Sequence, residues 1–212
     1  VVVGDGELTG PATMDLYLQA GTGSPSVETC DVPAQLLRVE PGDFREGYID
    51  LVASTNALDP PSGCPVLLFR RQDSGRAYGA TPVCVSNEAT ASLAAADADR
   101  DGDLDLALGL HSSKEIRVLL NSAGSLTTTL PITVDDHLAH IPYDLAWGDY
   151  DGDGWLDLAA AFPLEQQVRV YRATSMAPLA YTWAHTLTTT ALLTPLALDW
   201  ADVDGDSQLE LI

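Results

Sequence analysis

Lysine is almost missing from this chain: Lys114 is the single example among 212 residues, and ten basic residues face thirty-one acidic ones for a net charge of −21. A surface without a basic stripe has nothing to set against phosphates, which excludes nucleic acid as a partner. No apolar run approaches the roughly 18–20 residues of a membrane-crossing helix, so no membrane span is expected within it. No Asn-x-Ser/Thr sequence occurs, so N-linked glycans have no acceptor. Catalytic signatures are missing too. There is no Gly-x-Ser-x-Gly, Cys-x-x-Cys or His-Glu-x-x-His, and His111, His137, His140 and His185 share no spacing. The expectation is a protein without an active site.

What the chain has in abundance is acid, and the acid is in register. Asp97-Ala-Asp99-Arg-Asp101-Gly102-Asp103-Leu-Asp105, Asp149-Tyr-Asp151-Gly-Asp153-Gly154-Trp155-Leu-Asp157 and Asp202-Val-Asp204-Gly-Asp206-Ser207-Gln208-Leu-Glu210 carry carboxylates at loop positions 1, 3, 5 and 9. Such a crowd repels itself unless a hard cation sits among it, and a small residue at position 6 permits the turn that folds the acids inward. The position-9 acids recur at intervals of 52 and 53 residues. A worn copy lies one period earlier, from Asp43 to Asp50. It is one residue short and places Arg45 near the third ligand position, so it reads as metal-free with a guanidinium in the cation's stead.

A helix-loop-helix calcium site needs a bidentate Glu at position 12, where this chain has Leu108 and Ala160. The flanking runs Leu104–Leu110 and Leu156–Phe162 are short, apolar and ended by His or Pro, which marks strands. In the second repeat the strands are expected near 91–97, 104–110, 115–121 and 126–134, and in the third near 143–149, 156–162, 167–172 and 180–187. A repeat of about 50 residues made of four antiparallel strands is the pattern of a propeller blade. The fold class expected is all-β, a β-propeller-type array of four repeats of about 53 residues. It forms one domain over 1–212, with blades roughly at 36–90, 91–142, 143–193 and 194–212 together with 1–35.

The phrase Gly148-Asp149-Tyr-Asp-Gly-Asp-Gly-Trp-Leu-Asp-Leu158 resembles the signature of the FG-GAP/VCBS repeat family, known from integrin-α-like propellers. That resemblance implies that each loop joins the two innermost strands of a blade and binds calcium, about three ions in all. It places the ligands on Asp97, Asp99, Asp101 and Asp105, on Asp149, Asp151, Asp153 and Asp157, and on Asp202, Asp204, Asp206 and Glu210. Asp103, Trp155 and Gln208 would add backbone carbonyls. Ser207 and Glu210 depart from the family pattern and weaken the last site.

Calcium loops built from carboxylates, carbonyls and water generally need extracellular calcium levels, which points to a secreted or cell-surface protein. Cys64 precedes the third strand of its repeat and Cys84 lies on the fourth, and a hairpin centred near Ser74 would set them opposite one another, where a disulfide or two free thiols are both open; Cys30 is left over. Trp147 and Trp200 stand at equivalent places on innermost strands and read as core, whereas Trp155 is the candidate ligand contact.

The ends read as two parts of one strand. Joined from Ile212 to Val1, the acids at position 9 recur at 52, 55, 52 and 53 residues, so the four repeats are expected to close as a ring or to pair with a second copy. Two functions fit: a non-catalytic extracellular scaffold for adhesion or assembly, such as a surface-fibre subunit, or a carbohydrate-binding or polysaccharide-lyase-associated module. Its partners would be itself or neighbouring repeats through the terminal strand, a glycan, or a surface protein.

Overall fold

The computed structural model describes residues 2–4, 12–18, 26–32, 36–45, 47, 49–55, 64–71, 83–127, 131–176, 178–188, 194–206 and 208–212, with the strands before residue 37 described by their backbone alone. The chain forms two compact units, Val1–Ala89 and Thr90–Ile212. Both are all-β among the described residues, apart from a single 3-10 turn at Pro163–Glu165.

In the first unit, Val2–Gly4, Ala12–Leu18 and Ser26–Val32 make a three-stranded antiparallel sheet in sequence order. A four-stranded sheet follows: Leu36–Gly42, Asp50–Thr55, Val66–Phe69 and Val83–Ser86, again in order. Its second strand is buried along its whole length, with apolar Leu51, Val52 and Ala53 at its centre and the polar Asp50, Ser54 and Thr55 at its ends. Cys64 and Cys84 are joined by a disulfide with Cα atoms 5.6 Å apart, which settles the open pairing in favour of the bridge. Val1 lies outside the described residues, and with it the expected junction with Ile212.

The second unit repeats the plan twice. Thr90–Ala96, Asp105–Leu110, Ile116–Leu119 and Ile132–Asp135 form one sheet, and Asp144–Gly148, Asp157–Phe162, Gln167–Met176 and Leu179–Thr188 the next. A short ladder of Trp200–Ala201 with Glu210–Leu211 begins another. Several four-stranded antiparallel sheets are thus present, as the repeat predicts.

One strand is displaced from expectation. Residues 121–126 do not lead into the fourth strand but fold into their own hairpin, Asn121–Ser122 against Ser125–Leu126. Ala123 and Gly124 both take positive φ, 51° and 80°, the pair of left-handed residues that a tight two-residue hairpin requires.

Sheets of the second unit are stitched to one another at the repeat interval. Trp147 donates its indole N–H to the Ala94 carbonyl at 3.2 Å, and Trp200 does the same to Ala146 at 3.2 Å. The two tryptophans are therefore structural, each reaching back to the first strand of the preceding sheet. Gly148 is glycine because the Trp200 ring lies 2.5 Å from where its Cβ would stand. Apolar packing fills the space between: Ile116, Val118, Leu158, Phe162 and Tyr171 are buried in one cluster, and the Tyr171 hydroxyl donates to Asp135 at 2.8 Å.

Candidate metal centres

All four acidic loops join the first strand of a sheet or ladder to its second in one register. Gly42 stands opposite Asp50, Ala96 opposite Asp105, Gly148 opposite Asp157 and Ala201 opposite Glu210. The position-9 acid is thus the first residue of the second strand each time, including the worn copy.

Above that joint the loop folds on its own carboxylates. The position-3 acid accepts from the N–H of position 5: Asp99 from Asp101 at 3.2 Å, Asp151 from Asp153 at 3.3 Å, Asp204 from Asp206 at 3.1 Å. The position-5 acid accepts from position 7: Asp101 from Asp103 at 2.9 Å, Asp153 from Trp155 at 2.8 Å, Asp206 from Gln208 at 2.8 Å. Asp97 and Asp149 accept from the position-6 N–H of Gly102 and Gly154, at 3.1 and 2.8 Å. Successive turns of this kind wind the chain around a centre. They require left-handed residues at positions 4 and 6, held by Gly152 and Gly154 in the third repeat but by Arg100, at φ 64°, with Gly102 in the second. Ser207, which replaces the glycine in the last loop, lies outside the described residues.

The acids that this winding gathers are Asp97, Asp99 and Asp101; Asp149, Asp151 and Asp157; and Asp202, Asp204 and Asp206, with one carboxylate oxygen from each member of a trio within 4.8 Å of the others. Of the expected ligands, Asp105, Asp153 and Glu210 are not among them. Asp103 turns its side chain away to accept from Ala123 N–H at 2.7 Å, so the side chains at position 7 are not part of the trios. Trp155 is half-buried beside its loop.

Position 9 has a second duty. Asp105 is fully buried; one oxygen accepts from Ala98 N–H at 2.8 Å and the other from Asn121 N–H at 2.8 Å, just beyond the third strand. Asp157 repeats this with Tyr150 at 2.9 Å and Ala173 at 2.8 Å, and Asp50 holds Arg71 N–H at 2.8 Å. Each carboxylate thus ties the start of the second strand to the third strand or to the residues just past it.

Burial makes these acids reluctant to ionise. It pushes the Asp105 carboxyl up to about 6 against the pull of the Asn121 and Ala98 N–H groups, and raises Asp157 and Asp50 for the same reason. Asp99 is raised by burial first and by Asp101 and Asp97 beside it. Asp153 is lowered by the Trp155 N–H and by Arg172.

The donor set fits a hard divalent cation. It consists of carboxylate oxygens only, and Asp97 Oδ1 and Asp149 Oδ1 are buried with no hydrogen-bond partner, an arrangement that costs several kcal/mol unless a cation balances it. The worn loop supplies its own: Arg45 Nε lies 3.7 Å from Asp50 Oδ2, as its place in the sequence suggested. A further trio, Asp135, Asp136 and His137, is a different case, because Asp135 is already bonded to Tyr171 and Arg169 at the sheet interface.

Sequence reading missed Arg172, whose guanidinium reaches both Asp151 and Asp153. Strand register would have exposed it: Phe69, Leu119 and Tyr171 face Leu51, Leu106 and Leu158, so Arg70, Leu120 and Arg172 are equivalent positions one residue further on.

Residues 149–212 match the family model of the FG-GAP-like repeat. This stretch holds the third loop and the last one, and the match agrees with a repeat of the FG-GAP/VCBS type. No curated protein matches the chain.

Proposed function

We propose that this chain is a non-catalytic, extracellular, propeller-type module whose acidic loops bind calcium, about three ions, and which serves as a rigid scaffold in adhesion or assembly. The observation that carries the reading is the loop geometry itself: three windings of one design, two of them with a buried carboxylate oxygen lacking any protein partner. Asp97, Asp99, Asp101 and Asp105, the corresponding Asp149, Asp151, Asp153 and Asp157, and Asp202, Asp204, Asp206 and Glu210 would hold the ions. Calcium supplies charge that lets the loop carboxylates stay ionised where they are crowded and desolvated. The chain's residues do the remainder. The position-9 acids tie each loop to its third strand, and the Trp147 and Trp200 indoles tie sheet to sheet.

The disulfide Cys64–Cys84 suits an oxidising exterior, where extracellular modules with oxygen ligands of this kind find the calcium that loads them. No helix among the described residues is long and apolar enough to cross a membrane. Partners on this reading are a second copy, neighbouring repeats or a surface protein.

The test is thermal melting with calcium and with excess chelator. Binding to the native loops alone stabilises by about 2.7 kcal/mol per loop at a hundredfold excess over Kd, or about 5–10 °C in Tm. Magnesium, which gives up its waters reluctantly, should restore little. Identical melts in calcium and chelator would end the metal reading.

A second reading, glycan recognition, has its own observation. A groove of about 750 Å³ runs beside the third loop, lined by Tyr150, Trp200, Asp151, Gln208 and Glu210 among others, with the Tyr150 and Trp200 rings 6.2 Å apart. Trp155 is not in its lining, whose aromatic side chains are Tyr150 and Trp200. Titration with neutral oligosaccharides, and its loss in Tyr150→Ala, would favour this reading; no response to any saccharide would leave the scaffold alone.

A further inference from the structure

We propose that Arg172 is a tethered counter-cation of the third-repeat loop, which calcium must displace, and that it makes this loop bind more weakly than the loop of Asp97 to Asp105. The inference rests on the calcium reading above and adds a determinant of relative affinity within it.

The carboxylates at positions 3 and 5 have two oxygens each. In both loops one oxygen is taken by the chain's own winding: Oδ1 of Asp99 and Asp101, and Oδ1 of Asp151 and Asp153, each accept a loop N–H. The remaining oxygens accept no N–H of the winding and are the more open to a metal. In the third repeat both are already engaged by one guanidinium, Arg172 Nε on Asp151 Oδ2 and Nη2 on Asp153 Oδ2 at 3.0 Å. This is the two-pronged geometry that arginine forms with carboxylates and lysine cannot. In the second repeat the equivalent residue is Leu120, and no basic side chain among the described residues pairs with Asp99 or Asp101. The two loops share the acids at positions 1, 3, 5 and 9 and the same winding; they differ at position 4, Arg100 against Gly152, and at position 7, Asp103 against Trp155, but among the described residues the cation that engages the carboxylates at positions 3 and 5 is Arg172.

The worn loop shows the same device carried further. Its equivalent residue is Arg70, which together with Arg45 draws down the Asp50 carboxyl that burial raises. The three loops therefore form a series: at Asp97–Asp105 the one arginine, Arg100, points its guanidinium toward Gly154 and pairs with none of the loop's acids among the described residues, at Asp149–Asp157 a cation comes from the third strand, and at Asp43–Asp50 one is built into the loop. Arg172 is free to yield, because its side chain is 46% exposed. Once calcium takes the Oδ2 atoms the guanidinium swings into solvent, and the loop keeps its backbone hydrogen bonds.

The test uses the full chain with Arg172→Gln and Arg172→Lys. Terbium(III) bound in the third loop is excited through Trp155 at position 7, and the part of the emission lost in Trp155→Phe belongs to that loop. Calcium then displaces the terbium. Removing one charge beside a divalent ion should tighten calcium binding at this loop about tenfold, with Arg172→Lys lying between. Calorimetry should find the Asp97–Asp105 loop unchanged. Unchanged or weakened calcium affinity in Arg172→Gln overturns the proposal while leaving the calcium reading intact. If neither the wild-type protein nor Arg172→Gln binds calcium in the calorimeter, both fall together.

Discussion

Replacing Asp105 with Asn separates the two duties of a position-9 acid, because the change keeps shape and removes charge. In the metal-free protein two effects oppose. Burial lifts this carboxyl from 3.8 to about 6, so holding it ionised at pH 7 costs on the order of 3 kcal/mol, which the amide avoids. The amide, however, has one acceptor oxygen for the two sides that Asp105 serves, Ala98 and Asn121. One buried N–H is left facing a donor, at about 1–3 kcal/mol. The net change in chelator should therefore be small, within about 2 kcal/mol. In calcium the variant also forfeits what the ion contributes at that loop, about 2.7 kcal/mol at a hundredfold excess over Kd. Melting curves of both proteins in both buffers should show Asp105→Asn lowering Tm by about 5–10 °C more in calcium than in chelator. The pH dependence carries its own sign. Because the folded-state value is raised, the contribution of Asp105 in chelator is fully present below the unfolded value of 3.8 and is lost as pH rises through about 6. The wild-type protein should thus lose ground to Asp105→Asn between those limits. Equal losses in calcium and chelator would refute the reasoning and leave Asp105 a backbone clamp with no tie to a cation.

The worn loop offers a control: Asp151→Ala should reduce the calcium bound per chain, whereas Asp43→Ala should leave it unchanged, and a matching loss from both would mean that the worn copy still binds metal. Gly148→Ala drives a methyl group into the Trp200 ring and strains its bond to Ala146, which should cost about 2–4 kcal/mol and red-shift tryptophan emission; a change below about 0.5 kcal/mol would deny the stitch its role. Opening the Cys64–Cys84 bridge with a double Ser substitution should destabilise the first unit by about 3 kcal/mol, read by denaturant melting and insensitive to calcium.

What the sequence disclosed and what it withheld divide along a physical line. Loop register was legible because acids at 1, 3, 5 and 9 have no common explanation other than a shared cation, and the second strands were legible because Leu106–Leu110 and Leu158–Phe162 are apolar without alternation. The tryptophans announced themselves by recurring at the repeat interval. The fourth strand of the second repeat was not legible in place, since the Ala123-Gly124 turn claims residues that strand propensity would give to it. Arg172 was hidden for another reason. Its meaning depends on a neighbour across the strand pair, and only after Leu158 is set against Tyr171 does the next residue come to stand over Asp151 and Asp153.

That difference explains why the loops can keep one geometry and still differ in chemistry. The winding is local, made by carboxylates bonding N–H groups two to five residues away, and it survives in the worn copy as Asp43 bonded to Gly47 at 2.9 Å. The charge balance is not local. It is set by what the third strand brings to the joint, and the position-9 acid delivers it there, since the same carboxylate that starts the second strand binds the N–H at positions 71, 121 and 173. The residue just before each of these is Arg70, Leu120 or Arg172. On the calcium reading, a single substitution at that place would change which cation the loop favours without disturbing the clamp, so a repeat would gain or lose an ion while the sheet beneath it stayed as it was.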